Sequence, residues 1–281
     1  MCGMSTSNSL YITANNVRLH VRDLGGAGPP LFMLHATGFG WWQWAPVARG
    51  LTDRFHVYAL DQRGHGDSEK VAVGYTMETF AADFEALLKE MGINAAFAMG
   101  HSVGAKTLIA HGSLYPGRLR RALLVEPIIQ AQGPPPADPR NNPMAERARK
   151  RRPAFPSPQA MFESFKGRPP FNTWQEELVR LYAEEGTAAQ DGQAVLKCPP
   201  ELEALTFEAG IGFDLWRHLA RLELPVRFLW GEQQRAGDGR AHVPNVVQNC
   251  ETKTIPGTTH HIPTEKPEAV VQEALDFFSR D

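Results

Sequence analysis

What most limits the fold of this chain is a series of short, unbroken apolar runs: "LFMLH" (31–35), "FHVYALD" (55–61), "AAFAMG" (95–100), "RALLVE" (121–126) and "PVRFLW" (225–230). Such runs fit strands buried on both faces, because a half-buried strand alternates and a buried helix runs longer. Helical periods lie between most of them. Over 77–91, Phe80, Phe84, Leu87, Leu88 and Met91 form one stripe, and over 265–279 Val270, Val271, Ala274, Leu275 and Phe278 form another. Two earlier segments, 10–14 and 17–23, alternate like strands around Asn15-Asn16, a hairpin signal, and "ETKTI" (251–255) is the last strand candidate. Strands alternating with helices after a leading hairpin predict an α/β fold, with a mostly parallel eight-stranded sheet flanked by helices.

The spacing breaks once. Between Glu126 and Pro225 no buried-strand pattern occurs, and the gap opens at Pro134-Pro135-Pro136. Four short helices are expected within it. One starts at Asn142-Pro143 and one at Ser157-Pro158, each with a capping side chain before a proline. A third starts at Thr173, with a Thr-x-x-Glu box to Glu176 and Gly186 as its stop, and a fourth at Pro200. The segment reads as a helical cap over 131–210, inserted into a core of 1–130 and 211–281.

Composition narrows the function classes. The chain has 281 residues, is 42% hydrophobic and has a formal net charge of −2, so neither nucleic acid nor a membrane surface is an expected partner. The start, Met1 to Asn8, lacks the apolar run of a signal peptide, and no stretch approaches the roughly 20 apolar residues of a membrane span. Cys2, Cys198 and Cys250 are odd in number and widely separated, without metal-type spacing. The expectation is a cytoplasmic protein, monomer or homodimer, acting on a small molecule.

"GHSVG" (100–104) carries the chemistry. Ser102 follows an apolar strand and precedes a helix candidate. On so sharp a turn a nucleophile has strained backbone, and glycines two before and two after it avoid clashes. The bland alternative is a plain packing turn closed by glycines.

Together, "LHATGF", "ALDQRGHGDS", "GHSVGA" and "IPGTTHHIPTEKP" resemble the successive landmarks of the α/β-hydrolase fold family, close to its serine esterase-like members with a helical cap. The resemblance covers nearly the whole chain outside the cap. It implies that the loop after the last strand delivers the catalytic base. His260 fits by its offset from Glu265, and His261 is the rival; Thr259 stands where the family has glycine. Many members carry the acid as Gly-x-x-Asp after the strand 225–230, yet this chain reads Gly231-Glu232-Gln233-Gln234. An amide there cannot stabilise an imidazolium as a carboxylate does. Glu126 is the preferred acid: it ends the strand after the nucleophile's, where some members place theirs, and a carboxylate buried there unpaired is costly. Asp238 and Glu232 are the alternatives. The resemblance also implies an oxyanion hole from the N–H groups of Val103 and Thr37, although His35-Ala36 replaces the usual His-Gly. Alanine at 36 suggests a turn without positive φ at that residue.

Expected substrate-binding residues are Trp41, His35, Phe162 and Trp174. Trp41, Trp42 and Trp44 follow the oxyanion loop, and at least one of them either lines the pocket or merely packs the sheet. The basic run Arg147 to Arg152 reads as a solvated helix face. The resulting expectation is a serine hydrolase that cleaves a carboxylic ester or lactone of a small, largely apolar substrate, without cofactor or metal. Open alternatives are C–C bond, amide or acyl-transfer chemistry with the same residues, or a binding protein without turnover. Serine at the nucleophile position argues against epoxide-hydrolase and dehalogenase chemistry, which the family performs with a carboxylate.

Overall fold

The computed structural model describes residues 8–130, 138–233 and 238–280. The chain opens on an antiparallel hairpin, β1 (Asn8–Ala14) and β2 (Val17–Gly25). Asn15 and Asn16 make its turn at φ 49° and 58°, the left-handed pair that matches the twist of hairpin strands. Then β3 (Pro30–Leu34), α1 (Ala45–Arg49), β4 (His56–Asp61), α2 (Met77–Glu90), β5 (Ala96–His101), α3 (Val103–Leu114) and β6 (Leu119–Val125) follow.

Next comes the long interval: α4 (Pro143–Arg149), β7 (Ala154–Phe155), α5 (Pro158–Phe165), α6 (Glu176–Glu185), β8 (Thr187–Gln190), β9 (Gln193–Leu196) and α7 (Pro200–Gly212). The core resumes with α8 (Leu215–Leu219), β10 (Val226–Gly231), β11 (Cys250–Ile255), α9 (Ile262–Glu265) and α10 (Pro267–Phe278). The eight-stranded sheet has the order β1-β2-β4-β3-β5-β6-β10-β11. Pairing is parallel from β4 to β11.

The sheet divides the core in two. Phe80, Phe84, Leu108 and Ile109 pack on one face, and Val47, Leu51, Val270 and Phe277 on the other. Each such apolar side chain contributes roughly 1.5–3 kcal/mol relative to exposure. One strand departs from its apolar reading. Arg227 in β10 is fully buried, its charge met by Glu251, Glu273 and Asp276.

The interval between β6 and β10 contains the four expected helices. Asn142 and Ser157 cap α4 and α5, accepting from the N–H groups of Met144 and Ala160. Three readings need correction there. A three-stranded antiparallel sheet, β7-β9-β8, lies between the helices, and its strands were too short and polar to register as a period. The box at Thr173 does not form either, because the Thr173 hydroxyl binds Glu265 and the Pro170 carbonyl while α6 begins at Glu176. The basic run is not simply a solvated face. Arg149 pairs with Glu201 and Glu208, and Arg151 turns inward to Glu203 and the Tyr182 hydroxyl. Pro134 to Pro136, Cys2 and Gln234 lie outside the described residues. No helix among the described residues is long and apolar enough to cross a membrane.

Candidate active site

The carboxyl ends of the central parallel strands hold the site, where a doubly covered sheet leaves a crevice. In the β5–β6 ladder His101 pairs with Val125, so Ser102 and Glu126 are the next residues on adjacent strands. Each leaves its strand with positive φ, 54° at Ser102 and 48° at Glu126, an uncommon conformation for side-chain-bearing residues. Ser102 donates its N–H to the Val125 carbonyl at 2.8 Å.

The flanking glycines are sterically required. A Cβ on Gly100 would lie 2.5 Å from the Gly104 carbonyl carbon, and one on Gly104 would lie 2.2 Å from the Leu34 carbonyl oxygen.

Glu126 is 4% exposed, and among the described residues two donors meet its carboxylate. Its Oε1 accepts from the Gly231 N–H at 2.6 Å, and its Oε2 lies 3.1 Å from His260 Nδ1. The competing acids are engaged elsewhere: Asp238 with Arg240, and Glu232 with the Gly257 N–H. His260 and Ser102 line the same cavity of about 510 Å³. His261 lines it too, but its ring packs 5.3 Å from Trp174. The His260 loop is tied at its base, because Glu265 accepts from both the Thr259 N–H and the Thr259 hydroxyl.

A chain of hydrogen bonds that sequence reasoning missed runs beneath the serine. The Ala36 N–H donates to Gln43 Oε1, Gln43 Nε2 meets His101 Nδ1, and His101 Nε2 meets the His260 carbonyl at 2.7 Å. Burial, with the neighbouring His260 and His261, holds the His101 pKa well below the usual histidine range. Its ring is therefore neutral, and the Gln43 amide donor on Nδ1 places the single proton on Nε2, facing the carbonyl. The signal was present in the sequence as His101 beside Ser102, but only the fold brings Gln43 to it.

Thr37 and Val103 both line the cavity. Val103 is the first residue of α3, whose leading N–H groups have no partner within the helix. The turn after β3 closes with the Phe39 N–H on the Ala36 carbonyl at 3.1 Å, and its positive φ falls on Gly38 at 81°. Ala36 thus needs no such conformation. With the Ala36 N–H donated to Gln43, the next amide along the turn belongs to Thr37, which lines the cavity.

The four expected substrate-binding residues do not line the cavity. His35 is fully buried, with Nδ1 on the Ala36 carbonyl and Nε2 accepting from the Gln62 N–H. Trp41 packs beneath Arg22, 4.6 Å from ring to guanidinium. Phe162 and Trp174 join the apolar cluster that seats the interval on the core, where Trp42 stacks on Tyr182 at 4.8 Å. Aromatic surface goes first to closing that contact. The cavity wall is instead built by Phe39, Ile128, Met144, Phe207, Phe213 and Trp216, with Lys106, Gln130, Asn142 and Asp214 as polar members.

Among the described residues His20, Asp61 and Asp67 are the one group spaced as metal ligands. Their atoms are already committed: Asp61 to His20 Nδ1 and to the N–H groups of Trp41 and Asp67, and Asp67 to Lys197. That arrangement fits an internal brace of the loop after β4.

Residues 31–273 match the alpha/beta hydrolase family. The chain is similar to 2-(acetamidomethylene)succinate hydrolase of Mesorhizobium japonicum, 24% identical over 96% of this chain and 94% of that protein. It is also similar to a soluble epoxide hydrolase of a Corynebacterium species, at 26% identity over 94% and 95%. A crystal structure of E-2-(acetamidomethylene)succinate hydrolase superposes with a TM-score of 0.85 at 24% identity, covering 98% of this chain and 100% of that one. The enol-lactonase of Burkholderia xenovorans superposes at 0.75 with 22% identity, over 96% and 100%.

Proposed function

Since the chain belongs to the alpha/beta hydrolase family, we propose that it is a serine hydrolase cleaving a carboxylic ester or lactone through an acyl-enzyme. Hydrolase activity in general is supported by the named relatives. The finer reading rests on one observation: a serine on a strained strand–helix turn shares a cavity with a histidine whose far nitrogen meets a buried carboxylate.

With Nδ1 committed to Glu126, His260 Nε2 accepts the proton of the Ser102 hydroxyl as Oγ attacks the substrate carbonyl. The tetrahedral oxyanion takes hydrogen bonds from the N–H groups of Val103 and Thr37. His260 then gives its proton to the departing alcohol. It takes another from the water that releases the acid and regenerates Ser102. Glu126 stays ionised and stabilises the imidazolium in both halves. The similarity to an epoxide hydrolase does not extend to mechanism in this reading, because a serine at 102 cannot form the alkyl-ester intermediate of a carboxylate nucleophile. Amide substrates use the same steps, and the amide-type name of the Mesorhizobium relative keeps them in the panel to be screened.

Labelling with a fluorophosphonate tests the reading directly. Native protein should label at Ser102, Ser102→Ala should not, and a panel of 4-nitrophenyl esters, lactones and amides should identify the bond cleaved. Failure of native protein to label, with small neutral ligands still entering the cavity, refutes it.

A further inference from the structure

Lys106 lies on α3 four residues after Ser102, so it occupies the same helix face one turn on, about 6 Å along the axis. Its side chain lines the cavity that Ser102 and His260 share. The ammonium donates to the Gly210 carbonyl of α7 at 2.7 Å and forms no ion pair among the described residues. Burial lowers its pKa from 10.5 to about 8, and no neighbouring charge offsets this. At neutral pH a cation is therefore held in a largely apolar cavity with a single carbonyl partner among the described residues.

That is a costly arrangement for a structural clamp, since a neutral amide would close the same contact without burying charge. The other titratable groups on the cavity wall do not neutralise it. His260 meets Glu126, His261 packs on Trp174, and Asp214 caps α8 through the Arg217 N–H. Among the described residues, two of the three ammonium donors remain for a ligand.

We propose that Lys106 is a substrate-anchoring residue that pairs with a carboxylate, so that the substrates are anionic esters or related acyl compounds with a carboxylate near the reacting carbonyl. This rests on the hydrolase reading above for its chemistry but not for its binding. The apolar wall of Phe207, Phe213 and Trp216 contacts the rest of the substrate and removes the ion pair from water, which strengthens it. Specificity follows from the same geometry. A neutral ester leaves the ammonium in the apolar cavity without an ion-pair partner among the described residues, whereas a carboxylate supplies the missing charge.

The test compares Lys106→Met with native protein on three esters: 4-nitrophenyl butyrate, which is neutral; mono-4-nitrophenyl glutarate, with a carboxylate on the acyl side; and 4-acetoxybenzoate, with one on the alcohol side. The expected result is a fall of roughly 10- to 100-fold in the ratio of kcat/KM for one anionic ester over the neutral one, the size of one charge-assisted hydrogen bond. Lys106→Arg should recover part of that ratio. Equal losses on all three esters would make Lys106 a clamp of α7 and overturn the proposal, as would no loss on any.

Calorimetry with glutarate and its neutral analogue glutaramide separates this proposal from the catalytic one. Should native protein hydrolyse nothing and resist the fluorophosphonate, the serine-hydrolase reading fails while glutarate binding still reports on Lys106. Binding of glutarate to native protein and not to Lys106→Met supports the anchor. Equal binding to both, or to neither, sinks it.

Discussion

Replacing Glu126 by glutamine tests the least expected part of the site. Two partners of its carboxylate among the described residues are donors: the Gly231 N–H at 2.6 Å, and His260 Nδ1 at 3.1 Å. An amide has one acceptor and one donor end, so it cannot serve both in the present protonation state. The backbone N–H cannot change character, so the amide oxygen stays on Gly231 and its NH2 turns to His260. The imidazole must then accept at Nδ1 and carry its proton on Nε2, the nitrogen that should take the proton of Ser102. The base is thereby held in the wrong tautomer. The comparable exchange in serine-protease triads lowers kcat by about 10⁴, or ~5.5 kcal/mol of transition-state stabilisation. The assay is steady-state hydrolysis of 4-nitrophenyl butyrate by Glu126→Gln and Asp238→Asn, with urea unfolding to show that both variants fold. Asp238 is paired with Arg240, so its variant should keep most of the activity. A thousandfold loss in Asp238→Asn with almost none in Glu126→Gln refutes the assignment.

Three further outcomes follow from the structure. His101→Phe removes the donor to the His260 carbonyl, an acceptor whose loss costs about 1–3 kcal/mol when buried. Its kcat should fall about 10-fold or more, and combining it with Gln43→Leu should add little, since both break one chain; full additivity in a double-mutant cycle would show that no such chain operates. Gly104→Ala drives a Cβ to 2.2 Å from the Leu34 carbonyl oxygen, so unfolding should be easier by about 3 kcal/mol or more; an unchanged urea midpoint contradicts the packing described. Stability should fall in mild acid. Burial lowers the pKa of His65 to about 3 and of His111 to about 4, so both stay neutral when folded, while the unfolded chain takes up protons near 6.5. Their contribution is complete above 6.5 and is lost as pH falls toward 4 and then 3, at about 2.7 kcal/mol per pH unit for the pair where only the unfolded state is protonated. A urea midpoint that stays flat from pH 7.5 to 4.5 would be incompatible with neutral buried rings.

Much of the core was legible because its signals are local. A parallel strand covered on both faces must be continuously apolar, and the runs beginning at Leu31, Phe55 and Ala95 became β3, β4 and β5 within a residue or so at most ends. The interval between β6 and β10 was less legible. Its capped helices show at Asn142 and Ser157, but strands such as Thr187–Gln190 are short and one-sided, with no period long enough to read. Its packing was opaque for another reason. Phe162, Trp174 and Tyr182 look alike in sequence whether they face a ligand or a neighbouring helix, and only the docking of the interval onto Trp42 shows that they close that contact.

The sequence by itself determined the sheet, the sharp turn at Ser102 and the identity of the residues around it, because steric and hydrophobic demands on neighbouring residues are written within a few positions. Ser102 needs Gly100 and Gly104 for reasons visible in five letters. Tertiary structure alone decided which distant groups meet. It set Glu126, rather than Asp238 or Glu232, against His260, since adjacent strand ends are close only after the sheet forms. It joined Gln43 to His101 and His101 to the His260 carbonyl across 159 positions of chain. It also turned Lys106, one polar residue on a mostly apolar helix, into a half-buried cation on the cavity wall beside the nucleophile, because burial is a property of what packs around a residue and not of the residue.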